Sequence, residues 1–432
     1  MPSVSHGSRC CAPIRRCLSS NIPCRCWGPS GNSRFRRCRT GNWRWPAGLR
    51  FTPATLDERC AMIRFPGLSL LTSIRGPFAF IVVYRHCLEA LGYGASLHEN
   101  PGFIGRGEFL LDCFFILSGF LIAMLHREEF FSASHRGMDA RTVRHFLVLR
   151  IARFYPLHLV TLLVLGAAVL LVTPNTPGTS FSGEAFFWNI LLMQAWGTVP
   201  TLSFNYPAWS ISTEWFTYLL FPLLALPLNR LNSTRSQVVA IGALFAFMAA
   251  FVVLHPGRTW AIQLGWGALL RNTVDFAIGC LLARLAPAAL HWRLPRGVSW
   301  DIIAILAMAT AFLGVRFYLP DVGVVAAFTL MIFALVLCRG WLKRFLGQKW
   351  IVYWGDLSFS IYLIHALVIM AVNRLVPSLN PGTADGFLVY TVIVLAVSTA
   401  LAAVSFQFLE QPSRRWIRNT FAGNPRLVAR AA

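Results

Sequence analysis

Apolar residues fall in long blocks along this chain, and charges are confined to the gaps between them. Stretches long enough to cross a bilayer lie near residues 72–92, 108–126, 155–173, 207–228, 236–254, 268–286, 300–318, 322–338, 355–374 and 386–409. A segment in lipid must satisfy its own backbone hydrogen bonds, so blocks of this length predict helices. The expected fold is all-α, a polytopic membrane protein of about ten transmembrane helices. A further apolar stretch, 184–197, is too short to cross and is expected to lie at the interface or fold back.

Charge orients these spans. With the N-terminus inside, ten crossings gather Arg127, Arg136, Arg141, Arg144, Arg150 and Arg153 in one cytoplasmic loop. Arg230, Arg235, Arg293, Arg296, Arg339, Lys343, Arg344, Lys349, Arg414, Arg415 and Arg418 then face the same side. Residues 154–229 hold no Lys or Arg, as suits an outer connection between the third and fourth spans. Counting 184–197 as a crossing would invert every later loop. Both termini are therefore expected in the cytoplasm, with 174–206 outside.

Composition agrees. The 432 residues are 56% hydrophobic and 13% charged, too little charge to cover a soluble domain of this length. The net charge of +22 belongs to short arginine-rich loops, so the expected surroundings are membrane lipid and not nucleic acid. Seven of the eleven cysteines fall in residues 1–60, beside eleven arginines and no lysine. Residues 1–61 lack hydrophobic periodicity, an apolar signal core and zinc-type cysteine spacing, and are expected to be a misassigned start or a disordered tail. A membrane domain over 62–415 and a cytoplasmic tail over 416–432 complete the expected organisation.

Ionisable residues inside the spans are costly and mark candidate chemistry. Arg75 and His86 are eleven helical steps apart, which returns the side chains to within about 20° of one face and separates them by about 16 Å. An anion-gripping arginine near a cytoplasmic mouth with a base several turns deeper would have this spacing. Arg150 and Arg153, three residues apart, share a helical face and suit either a positive-inside anchor or a polyphosphate. Glu214 lies inside span four among aromatics, one turn after Ser210, where it can hold a proton, bind a hydroxyl or orient an imidazole. Asp112 reads as a rim carboxylate, and Ser118-Gly119 as small residues that let helices approach closely. Ser358, Tyr362 and His365 share one face of span nine and suit interhelical hydrogen bonds or a pocket. Arg271 and Asp275, at i and i+4, are expected to neutralise one another, and His158 to be a buried helix contact. Neither a phosphate-binding glycine loop, a hydrolase elbow nor a metal-ligand spacing occurs, so no metal is implied.

Taken in order, these residues resemble the membrane acyltransferase type 3 family. The resemblance rests on Arg75-x₁₀-His86, Phe114-Phe-Ile-Leu-Ser-Gly119, Arg150-Ile-Ala-Arg-Phe-Tyr-Pro156, Trp209-Ser-Ile-Ser-Thr-Glu214, Leu357-Ser-Phe-Ser-Ile-Tyr-Leu-Ile-His365 and Phe408-Leu-Glu-Gln-Pro412, and covers roughly residues 68–415. It implies a ten-helix bacterial inner-membrane enzyme that moves an acyl group, such as acetyl, from acyl-CoA to a carbohydrate hydroxyl of an envelope or exported glycan. Acyl-CoA enters as a co-substrate, and no bound cofactor is implied. By the same resemblance Arg75, Arg150 and Arg153 hold the CoA phosphates, His86 is the base or a transient acyl carrier, and Glu214 orients His86 or the acceptor. Asp112, Ser118, Ser210, Ser358, Tyr362 and His365 are candidate pocket residues. A secondary transporter of an anionic or glycan substrate is the alternative, since intramembrane Arg, His and Glu serve that role equally well. Gly76-Pro77 departs from a regular helix start, because a proline there delays or kinks the helix.

Overall fold

The computed structural model describes residues 67–92, 107–131, 139–172, 181–255, 259–262, 264–376, 379 and 384–421; residues 1–61, and the expectations attached to them, lie outside this set. Among the described residues the regular structure is helical, without a strand. In chain order the helices are α1 (Leu68–Ser73), α2 (Arg75–Ala90), α3 (Phe109–Leu125), α4 (Arg127–Phe130) and α5 (Ala140–Val172). Next come α6 (Gly183–Ile190), α7 (Trp209–Arg230), α8 (Thr234–Leu254), α9 (Gly265–Ala289) and α10 (Trp300–Arg316). The last five are α11 (Asp321–Leu337), α12 (Trp341–Leu346), α13 (Lys349–Leu375), α14 (Ala384–Ser405) and α15 (Gln411–Phe421).

Each of the ten expected apolar stretches overlaps a helix. Six helical segments among the described residues are long and apolar enough to cross a membrane: Leu68–Ala90, Ala140–Leu171, Tyr206–Arg230, Thr234–Leu254, Lys349–Leu375 and Gly386–Phe421. Phe109–Leu125 and Asp321–Leu337 are apolar but shorter. The apolar window of α13 is 61% buried inside the protein and that of α8 only 11%, so α13 is central and α8 peripheral. On the outer helices Leu171, Val253 and Leu254 are largely exposed, a cost in water that vanishes against lipid.

Two helix boundaries differ from expectation. Helix α5 starts at Ala140, fifteen residues before the expected span, about 22 Å along its axis. Arg141, Arg144, Arg150 and Arg153 therefore ride on a helix and not in a loop, because arginine is a good helix former and its charge selects a side, not a helix end. Within the first span the ladder is interrupted at Ile74, between α1 and α2, while Ile74 itself keeps helical backbone. Pro77 has no N–H for the Ser73 carbonyl, so the ladder is interrupted one turn upstream. Ser73 Oγ instead donates to the Leu346 carbonyl at 2.6 Å and ties α1 to the end of α12.

Glycines set two close helix contacts. A Cβ on Gly119 would stand 2.0 Å from the Phe276 carbonyl oxygen, and one on Gly279 would stand 2.0 Å from that of Ile116. Helices α3 and α9 therefore touch backbone to backbone, the packing expected of small residues in membranes. A Cβ on Gly355 would stand 1.9 Å from the Thr72 carbonyl oxygen, which seats the α1–α2 break directly on α13.

The stretch 184–197 forms no helix of membrane-crossing length. Helix α6 is eight residues long, and the chain then turns back through a π-helical turn, Gln194–Thr198, and a 3₁₀ turn, Tyr206–Ala208. Left-handed backbone at Leu192 (φ 56°) and Phe204 (φ 49°) bends it, a strained conformation for such residues. Buried polar contacts hold it there. His158 Nε2 donates to the Asn189 carbonyl at 2.8 Å, and Asn205 Nδ2 donates to Thr161 Oγ1 and the Leu363 carbonyl. His158 is thus a buried contact between α5 and α6, bonded through Nε2 while Nδ1 has no partner among the described residues, and the segment is packed against α5 and α13.

Candidate active site

Arg75 opens α2, and the backbone contact at Gly355 sets it beside Asp356 on α13. Its charge interacts with Arg153, Glu214, Asp356 and Tyr218. From α5, Arg150 interacts with Tyr218, Arg153, Glu214 and Glu129. The Arg150 guanidinium lies 5.6 Å from the Phe146 ring centre, and that of Arg153 lies 5.5 Å from the Phe359 ring centre, so flat aromatic faces orient both. None of these three arginines makes an ion pair among the described residues, and Arg150 Nε is buried without a hydrogen-bond partner. Three guanidiniums without an ion pair among the described residues have the donors that an anion with several oxygens requires.

Glu214 faces this arginine group. Its Oε1 accepts from Ser118 Oγ at 2.5 Å and from Tyr218 Oη at 2.5 Å, while the two hydroxyls lie 2.9 Å apart. Of its two expected roles, orienting His86 or the acceptor, the first has no hydrogen bond behind it, since the partners of Glu214 are Ser118 and Tyr218. Five residues down α7 from Trp209, it points toward Ser118 on α3 and the arginines. Ser118 belongs to this cluster, while its neighbour Gly119 supplies the close helix contact.

His86 stands eleven residues further along α2. Its ring stacks on His365 of α13, with centroids 5.1 Å apart and planes 27° apart, and meets the Tyr206 ring at 5.0 Å and 61°. His86 Nδ1 lies 2.9 Å from Glu89 Oε2. A carboxylate only accepts, so Nδ1 donates, and in the neutral imidazole this leaves the lone pair on Nε2. His365 is fully buried; its ring nitrogens have only the Ile361 and Tyr362 carbonyls within loose reach and make no well-formed hydrogen bond. It therefore serves as a wall for His86. Tyr362 Oη donates to the Pro207 carbonyl at 2.8 Å and lies 2.9 Å from Ser210 Oγ, which fixes the turn that carries Tyr206. Ser358 Oγ bonds the Gly355 carbonyl of its own helix and does not reach either cluster.

Of the other buried charges, Arg271 and Asp112 pair with each other, whereas neither oxygen of the fully buried Asp275 has a hydrogen-bond partner among the described residues. Arg271 donates to both Asp112 oxygens, from Nε at 2.8 Å and from Nη2 at 2.7 Å, and Nη2 also donates to the Glu108 carbonyl at 2.7 Å. The expected Arg271–Asp275 pair is thus corrected, because the fork geometry of a guanidinium favours two oxygens of one carboxylate across the α3–α9 contact. Asp112 is fully buried in this pair and is no rim carboxylate. At the far end of the chain Ser360 donates to Glu410 in a π-helical turn, Phe406–Glu410, that precedes Pro412. Sequence reasoning missed Glu89, Tyr206, Tyr218 and Asp356 as site neighbours. Glu89 at i+3 from His86 and Tyr218 at i+4 from Glu214 were open to helical spacing; Tyr206 carried no local signal.

A helical protein with membrane-length apolar segments, a buried guanidinium group and a carboxylate-paired histidine on one helix is the class these features define. Residues 70–403 match the family described as "Acyltransferase domain", and the chain belongs to that family. It is 30% identical over 291 residues to Acyltransferase MdmB of Streptomyces mycarofaciens, covering 62% of this chain and 70% of that one. It is 27% identical over 355 residues to O-acetyltransferase OatA of Staphylococcus aureus, covering 76% of this chain and 56% of OatA. No solved structure matches the chain. The chain is accordingly an acyltransferase with apolar helices of membrane length, and not the transporter of the alternative reading.

Proposed function

We propose that this enzyme takes an acyl group, acetyl in the first instance, from acyl-CoA and transfers it to a carbohydrate hydroxyl. The observation that carries this reading is the single helix α2, with under-paired guanidiniums gathered at Arg75 and a tautomer-fixed imidazole at His86. The two positions are about 16 Å apart along the helix, a separation that suits an extended pantetheine arm between phosphates and thioester. Arg75, Arg150 and Arg153 hold the CoA phosphates. His86 Nε2 removes the proton from the acceptor hydroxyl as its oxygen attacks the thioester carbonyl. The new C–O bond forms, the C–S bond breaks, and the imidazolium returns the proton to the departing thiolate. Glu214, held by Ser118 and Tyr218, supplies negative charge beside Arg75 and Arg150 and keeps the cluster soluble in a dry interior.

The carbohydrate acceptor, an envelope or exported glycan, is the class implied by the family resemblance, and acetyl agrees with the name of OatA. The setting is a bacterial inner membrane, with helices crossing about ten times and both termini in the cytoplasm. In that orientation Arg75, Arg150 and Arg153 lie toward the side on which acyl-CoA is found.

Purified protein given acetyl-CoA and a glycan acceptor should release CoA and yield acylated product. His86→Ala should abolish transfer while the protein still accumulates in membranes. Substantial transfer by His86→Ala at normal abundance removes His86 as the base.

A further inference from the structure

His86 is held from three directions. His365 covers one ring face, Tyr206 meets an edge, and Glu89 takes Nδ1. The first two contacts leave the ring free to flip by 180°, since stacking does not distinguish Nδ1 from Cδ2. Only the bond to Glu89 sets which nitrogen is presented.

Glu89 is itself braced. Its Oε1 lies 2.8 Å from Arg85 Nη2, one turn back on α2. Arg85 Nη1 lies 3.3 Å from Glu108 Oε2, and the Glu108 carbonyl accepts from Arg271, which is locked to Asp112. A chain of charge-assisted contacts thus runs from the His86 ring to the fully buried Arg271–Asp112 pair at the α3–α9 contact. Arg85 needs these carboxylates, because its side chain is only 11% exposed. His86 keeps 16% exposure, enough for an acceptor oxygen to reach it.

We propose that Glu89 is the positioning residue for His86, fixing the Nδ1–H tautomer so that Nε2 faces the reacting hydroxyl, with Arg85 as its strut. The inference rests on the proposed role of His86 as the base. Glu89 touches no reacting atom and acts through the imidazole alone, as outer partners of functional histidines do.

Glu89→Gln keeps shape and removes the charge, so kcat should fall by about ten-fold or more while the KM for acetyl-CoA stays within about two-fold. Glu89→Asp should recover part of the loss. In a His86→Ala background, Glu89→Gln should change nothing further, since a group that acts through the imidazole has no effect without it. A lone buried Arg85 could unfold Glu89→Gln. The double variant Arg85→Gln/Glu89→Gln removes both charges together and should show the same loss of kcat at normal abundance. A wild-type kcat in Glu89→Gln or in the double variant, with His86→Ala inactive, overturns the positioning role alone. An active His86→Ala overturns the base assignment first, and the role of Glu89 with it.

Discussion

A guanidinium in a dry interior is stable only against counter-charge, and the arginines of this protein divide by how well that need is met. Arg271 has both oxygens of Asp112, and Arg85 has Glu89 and Glu108. Arg75, Arg150 and Arg153 have Glu214 and Asp356 at longer range, and Arg150 and Arg153 lie against aromatic faces. The first pair holds the fold together, while the second group retains donors for a ligand. Arg150→Lys keeps the charge but loses the planar fork that grips phosphate oxygens. Losing one charge-assisted contact of about 1.5–3 kcal/mol corresponds to about ten-fold or more in apparent donor KM. Steady-state kinetics against acetyl-CoA measures it; an unchanged KM would leave Arg150 as an anchor and move the donor site elsewhere.

At the scale of elements, glycine decides where the helices meet. Gly279 lets the α3 backbone come within contact of α9, so any larger residue must push the helices apart or turn one about its axis. Gly279→Leu should therefore reduce folded protein in the membrane and lower its melting temperature in detergent. Because Asp112 and Arg271 sit on the same two helices, the separation also breaks their pair, a loss on the order of 3–5 kcal/mol. Normal abundance and melting of Gly279→Leu would contradict this account of the contact. The break at Ile74 works in the same way on a smaller scale. Pro77 interrupts the ladder, and Gly355 admits the chain at that point.

For the molecule as a whole, the distribution of arginine predicts one orientation. Cysteines introduced at Asn232 and Arg296, in a background without native cysteines, should be shielded from an impermeant thiol reagent in intact cells. One at Tyr318, which is 55% exposed between α10 and α11, should be labelled from outside. Labelling of Asn232 and Arg296 from outside would invert the arrangement and put Arg75, Arg150 and Arg153 on the side away from cytoplasmic acyl-CoA.

The hydrophobic blocks by themselves located ten helical stretches and showed 184–197 to be too short to cross, because span length follows from backbone hydrogen bonding in lipid. Helical periodicity put Arg75 and His86 on one face of α2, and the order of motifs pointed to the acyltransferase family. It also contained the His86–Glu89 pair, since residues three apart meet on any helix. Other partnerships needed the tertiary structure. Asp112 chooses Arg271, 159 residues away, over Asp275's local claim on it, and His86 meets His365 across 279 residues. Glu214 turns to Ser118 and the arginines, and Tyr206 reaches the imidazole from a turn with no periodicity at all. Periodicity tells which residues share a face of one helix. Which faces meet depends on the rotation and crossing of separate helices, and those are set by close packing at Gly119, Gly279 and Gly355, where the space for a side chain is already filled by another backbone.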